Sequence, residues 1–266
     1  MTPPDDPAQR LRAVLGGQQG LALAVSGGVD SLTLAHAVAR LAGQVPQVFH
    51  AVSPAVPVEA TARVRRHARA GGWRLTVIEA GEFADPDYLR NPVNRCYFCK
   101  SNLYARIAEV TGATIASGAN LDDLGDFRPG LTAADERQVI HPFVMAGMGK
   151  ADIRRMAAGF GLGDVQDLPA QPCLASRIET GLPVRVDDLG FVAQVEAVLA
   201  ALAGSGDHRC RITRQGVRIE LEPRCLKDAG LIGRLSAEAV RLCAADGRVL
   251  AGLVPYRRGS AFLHEF

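Results

Sequence analysis

The sequence predicts an α/β protein: a parallel sheet with helices on both faces over residues 1–175, then a small α+β domain over residues 176–266. Three observations lead there. Apolar runs at residues 21–25, 45–52 and 74–78 alternate with stretches of helical spacing, the pattern of repeated β–α units. The first run enters a double glycine, LALAVSGGVDS over residues 21–31, the mark of a strand, a tight turn and a helix start. From Pro183 onward the pattern changes to an alanine-rich helix and a short hairpin.

Bulk properties narrow the class. Hydrophobic residues at 48% and charged residues at 22% give the balance of a globular chain, and no apolar run is long enough for a bilayer. The start, MTPPDDPAQR, lacks the basic and apolar regions of a secretion signal. A net charge of +2 is too small for a broad nucleic-acid surface. Six cysteines without an export signal do not read as a disulfide framework. These features point to a cytoplasmic enzyme, with no nucleic-acid or membrane partner expected.

Residues 1–20 read as a polar lead-in and a short helix with Leu11, Val14 and Leu15 on one side. After Ser31, residues Leu32, Leu34, Ala35, Val38, Ala39 and Ala42 carry a helix. The turn amides and the helix start then converge on one spot that favours an anion, with Ser26 and Ser31 adding hydroxyls. Residues 45–52 form a second strand, and residues 60–70 a helix whose basic face (Arg63, Arg65, Arg66, His67, Arg69) reads as solvated. A third strand covers residues 74–78. In such sheets ligands bind beyond the carboxyl ends of the strands, where the glycine turn sits.

Cys96 and Cys99 form a CxxC pair just before a helix expected over residues 101–110, beside Arg95 and Lys100, which favour thiolates. From the residues alone the pair is open between a redox couple, a zinc half-site, an iron–sulfur half-site and two core cysteines. A strand at 113–116 ends in a second glycine turn at Gly118, followed by Asp122, Asp123, Asp126 and Arg128. Carboxylates at such a strand end suit Mg²⁺, and Asn and Asp are equally what turns are made of. His141, Pro142 and Phe143 lead to a helix at about 150–160, with Lys150 and Arg154 near its start. Residues 168–181, LPAQPCLASRIETG, read as an exposed, fixed loop that sets the Cys173 thiol beside Ser176 and Arg177, where a buried, inert cysteine is the other reading.

The glycine turn is neither the GxxxxGK[ST] loop nor the GxGxxG fingerprint. SGGVDS resembles the PP-loop of ATP pyrophosphatases, which cleave ATP between the α and β phosphates. Together, SGGVDS, NRCYFCK, SGANLDDLGDFRPGL and PCLASR resemble the LarE family of PP-loop enzymes over roughly residues 15 to 228. That resemblance implies an adenine-nucleotide-hydrolase-like fold and an ATP-dependent sulfurtransferase that matures the nickel-pincer nucleotide of lactate racemase. A carboxylate of pyridinium-3,5-biscarboxylic acid mononucleotide is adenylated, pyrophosphate leaves, and a protein-derived sulfur gives the thiocarboxylate. It implies an ATP and pyrophosphate site of Ser26, Gly27, Gly28, Asp30, Ser31 and Gly118, with Asp30 also catalytic. Asp122 and Asp123 are implied as Mg²⁺ ligands. One branch of the family sacrifices a single cysteine at the PCLASR position and ends as dehydroalanine. The other holds a [4Fe-4S] cluster on three cysteines, and Cys96, Cys99 and Cys173 place this chain with it. Ala119 stands where the family has Thr, which removes a hydroxyl from the nucleotide contacts.

In the second domain a helix is expected over 189–202, a hairpin of 210–212 with 217–221, a helix over 235–245 and a closing strand at 249–254. Arg209 and Arg211 alternate onto one strand face and, by the resemblance, hold the substrate's phosphate together with Ser176 and Arg177. A solvated strand face is the other reading of that arginine pair. By the resemblance, Glu220 and Asp228 match carboxylates near the reactive cysteine and are implied as metal-binding. Cys210, Cys225 and Cys243 read as core residues. A small-molecule nucleotide substrate, a sulfide donor and a homo-oligomer are the partners expected. Against this reading stand a tRNA-thiolating PP-loop enzyme with an iron–sulfur cluster, an amidating one, and a non-catalytic ATP-binding or sulfur-carrier module. The near-neutral charge and the lack of an appended basic domain argue against the first, and the lack of an ammonia source against the second.

Overall fold

The computed structural model describes residues 6–125, 127–169, 172–204 and 206–257. Asp126 of the acidic turn, residues 170–171 of the proline-rich loop and the first five residues of the lead-in therefore lie outside the described residues. The chain forms two units: Met1–Asp85 with Asn94–Gln171, and Pro86–Val93 with Pro172–Phe266.

The first unit opens with α1, Pro7–Gly16, whose start is capped by the Asp6 carboxylate accepting from Ala8 N at 2.9 Å. Next come β1 (Ala22–Ala24), α2 (Val29–Ala42), β2 (Gln47–Val52), α3 (Val58–Gly71) and β3 (Arg74–Glu79). The short α4, Pro86–Leu89, belongs to the second unit. The first unit resumes with α5 (Arg95–Val110), β4 (Ile115–Ser117), α6 (Pro129–Glu136), α7 (Pro142–Met145) and α8 (Lys150–Gly159). The four strands are parallel in the order β3-β2-β1-β4, with Leu23 in register with Val48 and Ala116.

Alternation along β1 explains why helices cover both faces. Leu23 and Val25 join a core with Leu11, Leu15, Leu32, Phe143 and Ile153. Ala22 joins the other, with Phe49, Leu103, Tyr104, Ile107 and Ile115. Leu23 and Leu32 are 0% exposed, so truncating either to alanine costs about 2–5 kcal/mol. The strand order reverses direction at β1, which opens a crevice beyond the carboxyl ends of β1 and β4.

Two local expectations are corrected. Helix α5 begins at Arg95, so Cys96 and Cys99 sit within its first two turns rather than ahead of it. The stretch carries no helix breaker, and Arg95, Leu103, Tyr104 and Ile107 are buried along the helix. The basic helix α3 is not solvated throughout: Arg63 and His67 are buried, while Arg65, Arg66 and Arg69 are exposed.

In the second unit, a 3-10 turn at Leu174–Arg177 precedes α9 (Val186–Ala203), β5 (Arg209–Thr213), β6 (Gly216–Leu221), α10 (Ala229–Ala245) and β7 (Leu250–Pro255). Strands β5 and β6 form the antiparallel hairpin, and β7 pairs parallel to β6. Helix α10 starts earlier than its apolar spacing indicates because the Asp228 carboxylate accepts from Leu231 N at 2.9 Å and caps it. Segment 86–93 is tied in by Asn91, which is fully buried in the left-handed region (φ 55°). Its Nδ2 donates to the carbonyls of Glu179 and Leu182, both at 2.9 Å.

Candidate nucleotide site and the cysteine positions

The glycine turn after β1 is shaped by close backbone approach. Gly27 has φ +89°, and a Cβ there would lie 2.8 Å from the Ala60 carbonyl oxygen at the start of α3. Gly28 is the N-cap of α2 and makes no side-chain cap, so the helix start presents backbone amides to the crevice. Ser31 Oγ donates to Gly28 O at 3.1 Å and lies 3.2 Å from Ser26 Oγ, and Ser26 N donates back to it at 3.2 Å. The turn is thereby closed by its own two serines. Arg63 adds a brace from α3, donating Nη1 to Gly27 O at 2.7 Å.

Gly118 sits where β4 meets the same crevice. A Cβ on it would come within 2.8 Å of Ser31 N and 2.9 Å of Asp30 C, so only glycine lets the two turns touch. The sequence-identified residues Ser26, Gly27, Gly28, Asp30, Ser31 and Gly118 are thus brought together.

Asp30 is the charged centre of the cradle. Its Oδ2 pairs with Lys150 Nζ at 2.5 Å, and its Oδ1 is buried with no hydrogen-bond partner among the described residues. Burial raises its pKa above the usual carboxylate value, the Lys150 ammonium opposes that rise, and the Asp123 carboxylate adds to it. The pair joins residues 30 and 150, far apart in sequence, and Lys150 was identified only as a residue near a helix start. No short-range pattern signals such a partner.

Asp122 accepts from the backbone N of Lys150 at 2.8 Å and so caps α8. Asp123 accepts from Asn120 N at 3.1 Å and pairs with Arg128 at 2.8 Å. Both carboxylates therefore serve the turn, as Asn and Asp clusters do. Mg²⁺ commonly binds one or two carboxylates plus substrate phosphates. The orphaned Asp30 Oδ1, with Asp123 close enough to act on it, fits that donor set. At the same end of the sheet, a cavity of about 430 Å³ beyond β2 and β3 is lined by Val52, Ser53, Pro54, Glu79, Glu82 and Phe83.

The six cysteines divide by burial. Cys96, Cys99 and Cys173 are half-buried, whereas Cys210, Cys225 and Cys243 are buried. Desolvation pushes the thiols of Cys210 and Cys243 up, away from thiolate chemistry. Cys96 and Cys99 are three apart on α5 and so share a side of the helix. Cys173 belongs to the second unit, just ahead of its 3-10 turn. Among the described residues no group of three or more His, Cys, Asp or Glu side chains is set to hold a metal ion. The donor chemistry of the three half-buried thiols suits iron, with Cys96 and Cys99 carried by the first unit and Cys173 by the second.

The loop around Cys173 departs from the exposed loop the sequence suggested, since Leu174, Ala175, Ser176 and Arg177 are all buried. Arg177 is the cause. It grips Glu196 through two bonds, Nε–Oε1 at 2.9 Å and Nη2–Oε2 at 3.0 Å, and donates Nη1 to Pro172 O at 2.8 Å and Ser176 Oγ at 3.0 Å. Arg209 and Arg211 are each 8% exposed, so the solvated strand face is excluded. Arg211 pairs with buried Glu220 at 2.6 Å and donates to Ser176 O at 3.1 Å. Arg209 pairs with Asp207 at 2.8 Å and lies over the Tyr256 ring. Ser176, Arg177, Arg211 and Glu220 so share one network in the second unit, Arg209 lies on the same strand paired with Asp207, and Asp228 caps α10.

No protein-family model matches the chain. It is 36% identical over 219 residues, 81% of each chain, to the uncharacterized protein slr1717 of Synechocystis sp.. It is 25% identical over 181 residues to the uncharacterized protein MJ0830 of Methanocaldococcus jannaschii, covering 66% of this chain and 68% of that one. To the pyridinium-3,5-bisthiocarboxylic acid mononucleotide synthase of Lactiplantibacillus plantarum it is 27% identical over 216 residues, 79% of this chain and 78% of that one. Among the described residues no helix is long and apolar enough to cross a membrane.

Proposed function

The chain belongs to the family of the Synechocystis protein slr1717, and from that premise we propose that it is an ATP-dependent sulfurtransferase of the LarE kind. Its substrate in this reading is pyridinium-3,5-biscarboxylic acid mononucleotide, and its place is nickel-pincer nucleotide biosynthesis. The observation that carries the proposal is the cradle at the β1–β4 crevice, with its uncapped helix start and the orphaned Asp30 Oδ1. The name of the Lactiplantibacillus relative supports the substrate.

In this reading the amides of the turn and of α2 bind the β and γ phosphates, and the cavity beyond β2 and β3 takes the adenine. Asp30, with Asp123, would hold Mg²⁺, which would supply positive charge to the leaving pyrophosphate. A substrate carboxylate oxygen attacks the α phosphorus, the bond to the β-phosphate oxygen breaks, and pyrophosphate departs. Adenylation turns a poor leaving oxygen into AMP. A sulfur nucleophile then attacks the acyl carbon and AMP is expelled. Arg209 and Arg211 orient the substrate phosphate beside Ser176 and Arg177.

For the sulfur source we hold to Cys96, Cys99 and Cys173 as ligands of a [4Fe-4S] cluster, these three being half-buried while the other three cysteines are buried. Such a cluster supplies, when bound, an open iron that carries an extra sulfide. The test of the reading as a whole is Asp30→Ala. It is expected to fold and to abolish pyrophosphate release from ATP in the presence of the pyridinium mononucleotide; release at the wild-type rate ends the PP-loop reading.

A further inference from the structure

Next to the cradle lies a hydrogen-bonded pair with no assigned task. Ser117, the last residue of β4, places its Oγ 2.9 Å from His141 Nδ1. The histidine is carried there because Ile140 pairs alongside β4, with Ser117 N donating to Ile140 O at 3.0 Å. Its other ring nitrogen, Nε2, is buried and has no hydrogen-bond partner among the described residues. A buried ring nitrogen without a partner is costly to leave so and needs an explanation.

Its surroundings supply one. Ser117 immediately precedes Gly118, which packs on the backbone of Asp30 and Ser31, so the pair borders the phosphate cradle. The charged groups that act on the ring are Asp135, Asp123 and Lys100. Asp123 also acts on Asp30, and Lys100 follows Cys99 on α5. The ring is thus within electrostatic range of groups on the acidic turn and on the cysteine-bearing helix, all within the first unit. Burial lowers its pKa, which keeps the imidazole neutral at pH 7.

The tautomer follows from Ser117. Its Oγ accepts from Ala119 N at 3.4 Å, and its own hydrogen has no other acceptor than His141 Nδ1 among the described residues. With that hydroxyl assigned as the donor to Nδ1, the proton of the neutral ring sits on Nε2. Among the described residues no group of three metal-ligating side chains is set to use the nitrogen as a ligand instead. We propose that His141 is a ligand-contacting residue of the nucleotide site, donating Nε2–H to an anionic oxygen of the bound nucleotide while Ser117 fixes its tautomer. The inference rests on the nucleotide-binding part of the proposed function.

The experiment pairs binding with spectroscopy, using α,β-methylene ATP and Mg²⁺ as the probe because it is not cleaved between the α and β phosphates. His141→Asn keeps a partner for Ser117 and lacks Nε2; it should weaken binding about ten- to hundredfold at an unchanged melting temperature. His141→Gln, whose amide reaches the Nε2 position, should recover part of the loss. In wild-type protein with isotope-labelled histidine, nuclear magnetic resonance should show the Nε2–H tautomer, with that nitrogen shifting on nucleotide addition. Wild-type affinity in His141→Asn, or an Nδ1–H ring that ignores the nucleotide, overturns the assignment even if a variant fails to fold. If the wild-type protein itself fails to bind the probe, the proposed function falls with it, which separates the two failures.

Discussion

The pair Lys150–Asp30 offers the sharpest perturbation. Lys150→Met takes the paired ammonium from a largely buried carboxylate whose other oxygen is already orphaned, leaving the weaker influence of the Arg154 charge to oppose burial. The Asp30 side chain is 26% exposed and Lys150 35%, between the surface pairs that contribute under about 1 kcal/mol and the buried ones whose breakage costs about 3–5. A loss of about 1–2 kcal/mol follows after screening, or about 2–4 °C in melting temperature per kcal/mol. In an Asp30→Asn background the same lysine change should cost little, because no buried charge remains, so the double-mutant cycle reads a coupling of about 1–2 kcal/mol. The pH dependence has a definite sign. The folded pKa of Asp30 lies above its reference of 3.8, so the unfolded chain loses this proton first as pH rises. Wild type therefore loses stability relative to Asp30→Asn from about the reference value up through the raised folded value, and the gap is constant beyond. Urea melts across that range are the assay. Additive single effects, or a gap that closes with rising pH, would refute the argument.

Other outcomes follow from the same geometry. Gly118→Ala drives a Cβ into the backbone of Asp30 and Ser31; it should cost about 1–3 kcal/mol in a denaturation melt and weaken nucleotide binding more than substrate binding. Arg211→Ala should weaken the pyridinium mononucleotide more than ATP in parallel titrations, and it breaks the ion pair to buried Glu220, so a stability loss of about 3–5 kcal/mol accompanies it. Under anaerobic preparation, Cys96→Ala, Cys99→Ala and Cys173→Ala should each lose iron and turnover together; iron-free protein in which Cys173 alone becomes dehydroalanine would select the sacrificial route. His36 Nε2 lies 2.9 Å from His67 Nδ1, His67 contacts Asp164 at 3.2 Å, and burial lowers the His36 pKa to about 4. Stability should therefore fall as pH drops from about 6.5 to about 4, and the fall should shrink in His36→Gln.

Much of the fold could be read from the sequence because it rests on local patterns. Strands β1 to β3 and their helices follow from apolar period, and the cradle follows from two glycines flanked by serines. What could not be read is what buried charge does at long range. Arg63 looked like one more cation on a wet helix, yet it holds the Gly27 carbonyl. Arg209 and Arg211 alternate as an outward face would, but carboxylates at Asp207 and Glu220 pair with them and make their burial tolerable. Lys150 meets Asp30 only through the fold. Segment 86–93 joins the second unit through the backbone and amide of Asn91, and no composition change marks it.

The central claim is that ATP cleavage here is spent on installing sulfur in a pyridinium mononucleotide. Its most direct test is one reaction of anaerobically purified protein with ATP, Mg²⁺, sulfide and pyridinium-3,5-biscarboxylic acid mononucleotide, followed by mass spectrometry of the nucleotide and assay of pyrophosphate. The account predicts a product with a carboxylate oxygen replaced by sulfur, and equal amounts of pyrophosphate and sulfur installed. Nucleotide binding with no pyrophosphate and an unchanged substrate mass would contradict it.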